Sequence, residues 1–174
     1  MSLRKIRYPI ISFFIIFLFT ILSCKKNPTA PTDEVDIPTI SISCNPSTGG
    51  TDTNVTITIS IKGNQKEIDA FGLELTFDIQ MLQFLSANKA SLTSEWIVVD
   101  GNEIESGIVR IGGYCLSENA IPKESTGSIT TATFKVTGGE YSDGQQSQVR
   151  MQSIINDLVG MTASPSYVTF TYKK

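Results

Sequence analysis

Residues 55–62 read VTITISIK: Val55, Ile57, Ile59 and Ile61 alternate with Thr56, Thr58, Ser60 and Lys62. Successive side chains of an extended strand point to opposite faces. This stretch therefore turns one apolar row inward and one polar row outward. The pattern recurs along the chain. Phe71, Leu73, Leu75 and Phe77 alternate with Gly72, Glu74 and Thr76. Ala132, Phe134 and Val136 alternate with Thr131, Thr133 and Lys135, and Val168, Phe170 and Tyr172 with Thr169 and Thr171. Shorter strand candidates span 39–44, 83–87, 96–99, 108–115 and 148–154. Turn signals separate them: Asn45-Pro46, Gly49-Gly50, Lys62-Gly63-Asn64, Asp100-Gly101-Asn102, Gly138-Gly139 and Asp143-Gly144. Gly and Asn tolerate positive φ and Pro fixes φ, so each has a physical reason to turn the chain. No long helical period appears; 82–86 has room for one helical turn, and 153–159 fits either state. About nine strands with short connections predict an all-β, antiparallel sandwich.

Upstream of the strands the chain changes character. Arg4, Lys5 and Arg7 precede an apolar run from Ile10 to Leu22, which ends at Ser23-Cys24. A basic head, a short apolar stretch and a small residue before a cut site make a secretory signal. The run is too short for a confident membrane-spanning helix. Ile21-Leu22-Ser23-Cys24 resembles the lipobox of bacterial lipoproteins, which implies acylation of Cys24 as the new N-terminus. A plain signal peptide and an uncleaved anchor are the alternatives, and all three place the remainder outside the cytoplasm. Residues 24–36 are rich in Pro, Thr and charge and read as a flexible tether. The expected layout is a lipoprotein signal peptide at 1–23, a lipidated tether at 24–36 and a β-sandwich at 37–174, held in the cell envelope on a bacterial membrane.

Charge and composition exclude several functions. Loss of the leader removes three of the 14 basic residues and none of the 17 acidic ones, leaving a net charge of −6. There is no basic stripe, so nucleic acid is not an expected partner. The mean hydropathy of +0.04 is raised by the leader and says nothing of membrane character in the domain. Histidine is absent, which removes Ser-His-Asp and Cys-His mechanisms and His-based zinc sites. Cys44 and Cys115 can pair in an oxidising compartment; two buried free thiols are the alternative. Glu95, Asp100, Glu103, Glu105, Glu118 and Glu124 could supply a glycosidase carboxylate pair, but they fall in loop-like stretches where solvated charge is the default. Asp100-Gly101-Asn102-Glu103-Ile104-Glu105 carries oxygen ligands at close spacing, as calcium loops do, without the twelve-residue spacing of an EF-hand. An Asp-Gly hairpin accounts for it equally well.

The order of four stretches resembles the cohesin family. Gly72-Leu73-Glu74-Leu75-Thr76-Phe77-Asp78, followed by Ile79-Gln80-Met81-Leu82-Gln83-Phe84, is similar to the family's strand, turn and second strand. Residues 55–61 with Lys62-Gly63-Asn64 and Ile68 resemble its second strand and following loop. Gly107-Ile108-Val109-Arg110-Ile111-Gly112-Gly113-Tyr114 resembles its sixth strand. Gly127-Ser128-Ile129 through Ala132-Thr133-Phe134-Lys135-Val136 resembles its GxLATxTFKV strand. The resemblance implies a nine-stranded jelly-roll sandwich related to carbohydrate-binding modules. It also implies a dockerin-like partner that carries calcium in its own loops, no catalytic machinery and no cofactor or metal of the domain's own. In the family the third strand presents polar residues to the partner; here Ala70 and Gly72 stand at the matching outward positions.

Two non-catalytic readings follow. In the first, the domain attaches proteins to a surface or to a polysaccharide-processing assembly through an outward sheet face carrying Glu74, Thr76, Arg110, Tyr114, Thr131, Thr133 and Lys135. Arg and Tyr are the residue types that dominate binding energy, although strand parity alone places polar residues outward. In the second, the domain binds polysaccharide. That needs exposed rings, and Trp96, Tyr114, Tyr141 and Tyr167 are the candidates. Trp96 lies beside Ile97 and Val98, which favours a core role.

Overall fold

The alternation becomes eleven strands in a computed structural model that describes residues 37–174. The leader, Cys24 and the tether through residue 36 lie outside the described residues. The strands are β1 (Thr39–Asn45), β2 (Thr48–Gly49), β3 (Asn54–Lys62), β4 (Ala70–Thr76), β5 (Leu82–Lys89), β6 (Val98–Glu105), β7 (Ile108–Tyr114), β8 (Thr126–Val136), β9 (Gln146–Asn156), β10 (Thr162–Ala163) and β11 (Tyr167–Tyr172). One 3-10 turn, Ser117–Asn119, is the only helical element among the described residues. Two sheets form, ordered β10-β1-β3-β8-β5 and β2-β11-β9-β4-β7-β6. The all-β sandwich expected from the period is thus the architecture found. The long strands pair antiparallel, as expected, but the two-residue β10 and β2 run parallel to β1 and β11. Two residues offer too little pattern for a sequence reading.

The apolar rows meet between the sheets. Ile57, Ile59, Leu73, Leu75, Val109, Ile111, Ala132 and Phe134 are all fully buried. Each large aliphatic or aromatic side chain so removed from water contributes roughly 1.5–3 kcal/mol. Phe134 sits at the centre, edge-on to Phe77 at 5.0 Å and to Phe84 at 5.6 Å. Trp96 is 1% exposed and stacks at a tilt on Phe71 at 5.4 Å. Its Nε1 donates to the Asn119 carbonyl at 3.1 Å, which lets an indole be buried without an unsatisfied donor.

Two polar clamps set the ends of the strands that form the outer face of the six-stranded sheet. Asn64 is buried, and its Nδ2 donates to the Lys66 and Pro122 carbonyls while its Oδ1 accepts from Ser125 N. This ties the β3–β4 loop to the β7–β8 loop. Asp157 accepts from Lys66 Nζ at 2.9 Å and from the backbone N–H groups of Asp69 and Ala70, locking the start of β4 to the end of β9. Burial would raise the Asp157 pKa, but these donors outweigh it and hold the carboxyl below its ordinary value.

Asp100-Gly101-Asn102 is not a turn but the middle of β6. Gly101 faces inward, where an added Cβ would stand 2.9 Å from Ala87 Cβ and 3.1 Å from Phe84 Cζ. Its glycine lets β6 approach β5, not reverse the chain. The reversal comes later, at Gly107, whose φ of +79° is left-handed. Residues 82–86, where a helical turn had room, are strand β5.

Candidate binding face

Register arranges the outer face of the six-stranded sheet in rows that cross β9, β4, β7 and β6. One row is Ser153, Glu74, Arg110 and Asn102; the next is Ile155, Gly72, Gly112 and Asp100. Beyond them, Tyr114 stands opposite Ala70 and Val98, and at the other end Thr76 stands opposite Arg150. The row through Ser153 depends on a bulge. Leu75 pairs with Met151 and Glu74 with Ser153, so Gln152 is an extra residue. A bulge of one residue shifts strand parity, placing Ser153 on the outer face although Met151, two residues earlier, points into the core.

The centre of this face is a hydrogen-bonded charge pair. Arg110 Nη2 and Nε donate to Glu74 Oε1 at 2.6 and 3.0 Å, and Ser153 Oγ donates to Glu74 Oε2 at 2.8 Å. The Arg110 hydrogen bond, then that of Ser153, holds the Glu74 carboxyl below its ordinary pKa. The pair fixes a long arginine side chain in one conformation while leaving it half exposed. Tyr114, at one end, is 51% exposed. At the opposite end Arg150 lies over the Tyr167 ring at 4.7 Å and donates to Gln148 Oε1.

Beside the Glu74–Arg110 pair lies a trough of about 470 Å³. Gly72 and Gly112 face each other across β4 and β7 and give it a floor of bare backbone; Ile155, Ile104, Asp100 and Asn102 stand around it. Added Cβ atoms would crowd Ile155 Cβ and the Phe71 carbonyl, each at 3.2 Å.

The seven residues expected to share one face do not. Glu74, Thr76, Arg110 and Tyr114 lie on the outer face of the six-stranded sheet, whereas Thr131, Thr133 and Lys135 lie on that of the five-stranded sheet. Parity tells in from out but not which sheet a strand joins. The second face is a neutral lattice: Thr58, Thr131 and Asn88 form one row, Thr56, Thr133 and Ser86 the next, and Lys135 is paired with Asp52 at 2.7 Å.

The cysteine pair does not form either. Cys44 and Cys115 are free thiols. Cys44 is the last residue but one of β1 in one sheet, and Cys115 follows β7 in the other. Cys44 Sγ donates to the Pro46 carbonyl and Cys115 Sγ to that of Asp69. Burial raises both thiol pKa values, with the Asp69 charge adding at Cys115, so neither is a ready nucleophile at neutral pH. Among the described residues no three His, Cys, Asp or Glu side chains converge as a metal cage. The oxygen-rich stretch from Asp100 to Glu105 is extended strand, with Glu103 Oε1 accepting from Gly107 N.

Comparison of the fold with known structures gives consistent neighbours. The sixth cohesin of scaffoldin B from Acetivibrio cellulolyticus, in complex with a mutant Cel5 dockerin, matches with a TM-score of 0.60 at 12% identity, over 79% of this chain and 98% of that one. A type II cohesin domain from the cellulosome of the same organism matches at 0.59 and 18% identity, over 77% and 95%. A non-cellulosomal cohesin from the archaeon Archaeoglobus fulgidus matches at 0.58 and 19%, over 79% and 92%. The fold is that of a cohesin. No protein-family model matches the sequence, and no curated protein does. The likeness to these cohesins is one of fold. Sequence reading missed three features of that face: Ser153, hidden by the bulge; the Arg150–Tyr167 stack, whose partners come from different strands; and the trough. Gly72 and Gly112 each carry a signal, a glycine on the outward parity of a strand, but only register brings them together.

Proposed function

We propose that the chain is a non-catalytic attachment module and that the outer face of β11-β9-β4-β7-β6 engages a protein partner of the dockerin kind. The observation that carries this reading is the preset Arg110, held by Glu74 on one side of the glycine trough, with the exposed Tyr114 on the other side. An arginine already fixed in one conformation loses little side-chain freedom on binding, and an exposed tyrosine is another residue type on which hot spots are built. Cohesins of the same fold are found in complexes with dockerins, and the absence of histidine agrees with a role without nucleophilic catalysis. The leader and Cys24 support display outside the cytoplasm on a lipid anchor. Polysaccharide binding is the weaker reading, because Tyr114 and Tyr167 stand three strands apart and Trp96 and Tyr141 are buried.

The test is retention of a panel of calcium-loaded dockerin modules on the immobilised protein. At least one module is expected to be held, to be released by a chelator, and to be lost with Arg110→Ala/Tyr114→Ala. Retention indifferent to that double substitution overturns the assignment of the face; binding on a glycan array with no retained module overturns the protein partner. Incorporation of labelled palmitate, abolished by Cys24→Ser, checks the anchor.

A further inference from the structure

One end of the sandwich carries a second surface. β1 and β8 begin at this end and β3 stops there, since Thr39 lies opposite Lys62 and Lys62 opposite Thr126. The 63–69 connection crosses to the other sheet at the same end, where β4 begins and β7 and β9 stop. Five large apolar side chains among the described residues are exposed outside strands. Four of them, Ile37, Ile97, Leu116 and Val159, lie at this end, and only Ile79 lies at the other. A lone exposed apolar side chain is ordinary, but these occupy the entry of the chain and three separate connections on one side of the molecule. Hydrogen bonds tie those segments together. Thr162 N donates to the Pro38 carbonyl, Asp157 accepts from Lys66 Nζ and Asp69 N, Cys115 N donates to the Asp69 carbonyl, and Ile97 N to that of Tyr114. The charges there form no basic patch. Lys66 pairs with Asp157 and Lys123 with Glu124, while Glu67, Glu95 and Glu118 stand exposed.

We infer that this end is a resting surface on the lipid bilayer that holds Cys24, with the four apolar tips entering the boundary between headgroups and acyl chains. The inference rests on the reading that Cys24 is lipidated. The chain enters the described domain at Ile37, itself one of the four. The stretch from 24 to 36 has 13 residues. A linker of that length spans about 20 Å on average and about 45 Å at full stretch. β8 and β9 are 11 residues long, so the sandwich measures about 35 Å from end to end. Turning the opposite end to the membrane would draw the linker nearly taut along the domain, whereas the Ile37 end reaches the bilayer without stretching. Anchoring also makes the contact intramolecular, so tips too weak to bind lipid from solution suffice once the domain is held nearby. The chemistry recognised is apolar and uncharged. Contact with zwitterionic lipid is therefore insensitive to salt, and anionic lipid weakens it through the exposed carboxylates. The strands then stand upright on the membrane and leave the Arg110 face free to the side.

The acylated full chain, isotopically labelled and held in nanodiscs of phosphatidylcholine with a small share of gadolinium-chelating lipid, tests it. The amide signals of Ile97, Leu116 and Val159 are expected to be lost to the paramagnetic surface. Those of Ile79, between β4 and β5, and Gly144, between β8 and β9, are expected to survive at the opposite end. The same contrast should hold at low and high salt. Ile97→Ser/Leu116→Ser/Val159→Ser changes exposed positions only and should abolish the contrast between the ends with the melting temperature unchanged. Equal loss at both ends of the parent protein, or a contrast that survives the triple substitution, overturns the resting surface while the anchor stands. A chain that takes up no palmitate and does not float with vesicles overturns the anchor and the surface with it. Shifts of the same three amides that appear without lipid and grow with protein concentration identify a second copy of the chain as the occupant and overturn the bilayer.

Discussion

The two outer faces of this sandwich are made by the same rule and end up chemically different. Both consist of the outward parity of buried strands. On the five-stranded sheet that parity yields short hydroxyl and amide side chains at even spacing, with Lys135 already paired to Asp52. On the six-stranded sheet it yields a preset arginine, an exposed tyrosine, two facing glycines and an acidic edge strand with no cationic partner among the described residues. Outward polarity is thus no evidence of a site. On the reading proposed above, what sets the six-stranded face apart is variation in height and charge, together with a side chain held before any partner arrives.

Disrupting the shared core should erase the comparison. Phe134→Ala removes the ring on which Phe77 and Phe84 pack and should cost about 3–5 kcal/mol in denaturant unfolding, loosening both faces together. Gly101→Val attacks only the junction of β6 with β5. It forces a side chain against Ala87, Ile111 and Phe84 and should cost about 1–3 kcal/mol, visible as a lowered melting temperature with retention falling in proportion. Separating the faces needs surface changes. Arg110→Ala/Tyr114→Ala should weaken partner retention about tenfold or more while stability moves by less than about 1 kcal/mol. Thr131→Ala/Thr133→Ala should leave retention unchanged. Parallel melting and binding curves for the four proteins decide it, and a surface double variant that melts like Phe134→Ala would show that Arg110 and Tyr114 are structural.

The smallest effect is in pH. Glu74 has a depressed pKa in the folded protein. Its contribution is therefore complete above the ordinary, unfolded carboxylate value and is lost only as pH falls through the lower folded one. Binding and stability attributable to the Glu74–Arg110 pair should be flat from neutral to about pH 5 and decline only below the usual carboxylate range. Carboxyl titration followed by NMR, compared with Glu74→Gln, checks the sign.

The strands were legible because their information is local. The row from Val55 to Ile61 needs no partner to announce its buried side, and the same holds for Phe71, Leu73 and Leu75. The site was legible residue by residue but not as an arrangement. Arg110 and Tyr114 stand out by type, yet whether they share a face with Thr131 depends on which sheet each strand joins. Asp100-Gly101-Asn102 misleads for a different reason. Glycine beside Asx is a strong turn signal, but the same lack of a side chain also serves a close strand approach, and only Ala87 and Phe84, distant in sequence, reveal which use applies. Ser153 is hidden by a single inserted residue.

The two shortest strands, β2 and β10, have a consequence for life at high local density. Each occupies the outermost position of its sheet on one side, where a longer strand would offer a row of unmet amides to any neighbouring molecule. Two residues are too brief a template for such pairing. At the other margin of the six-stranded sheet, Asp100, Glu103 and Glu105 repel a like edge. Three of the four sheet margins thus discourage edge-to-edge pairing between crowded copies, and the fourth, the eight-residue β5 with its exposed Leu85, is where such stitching would have to begin.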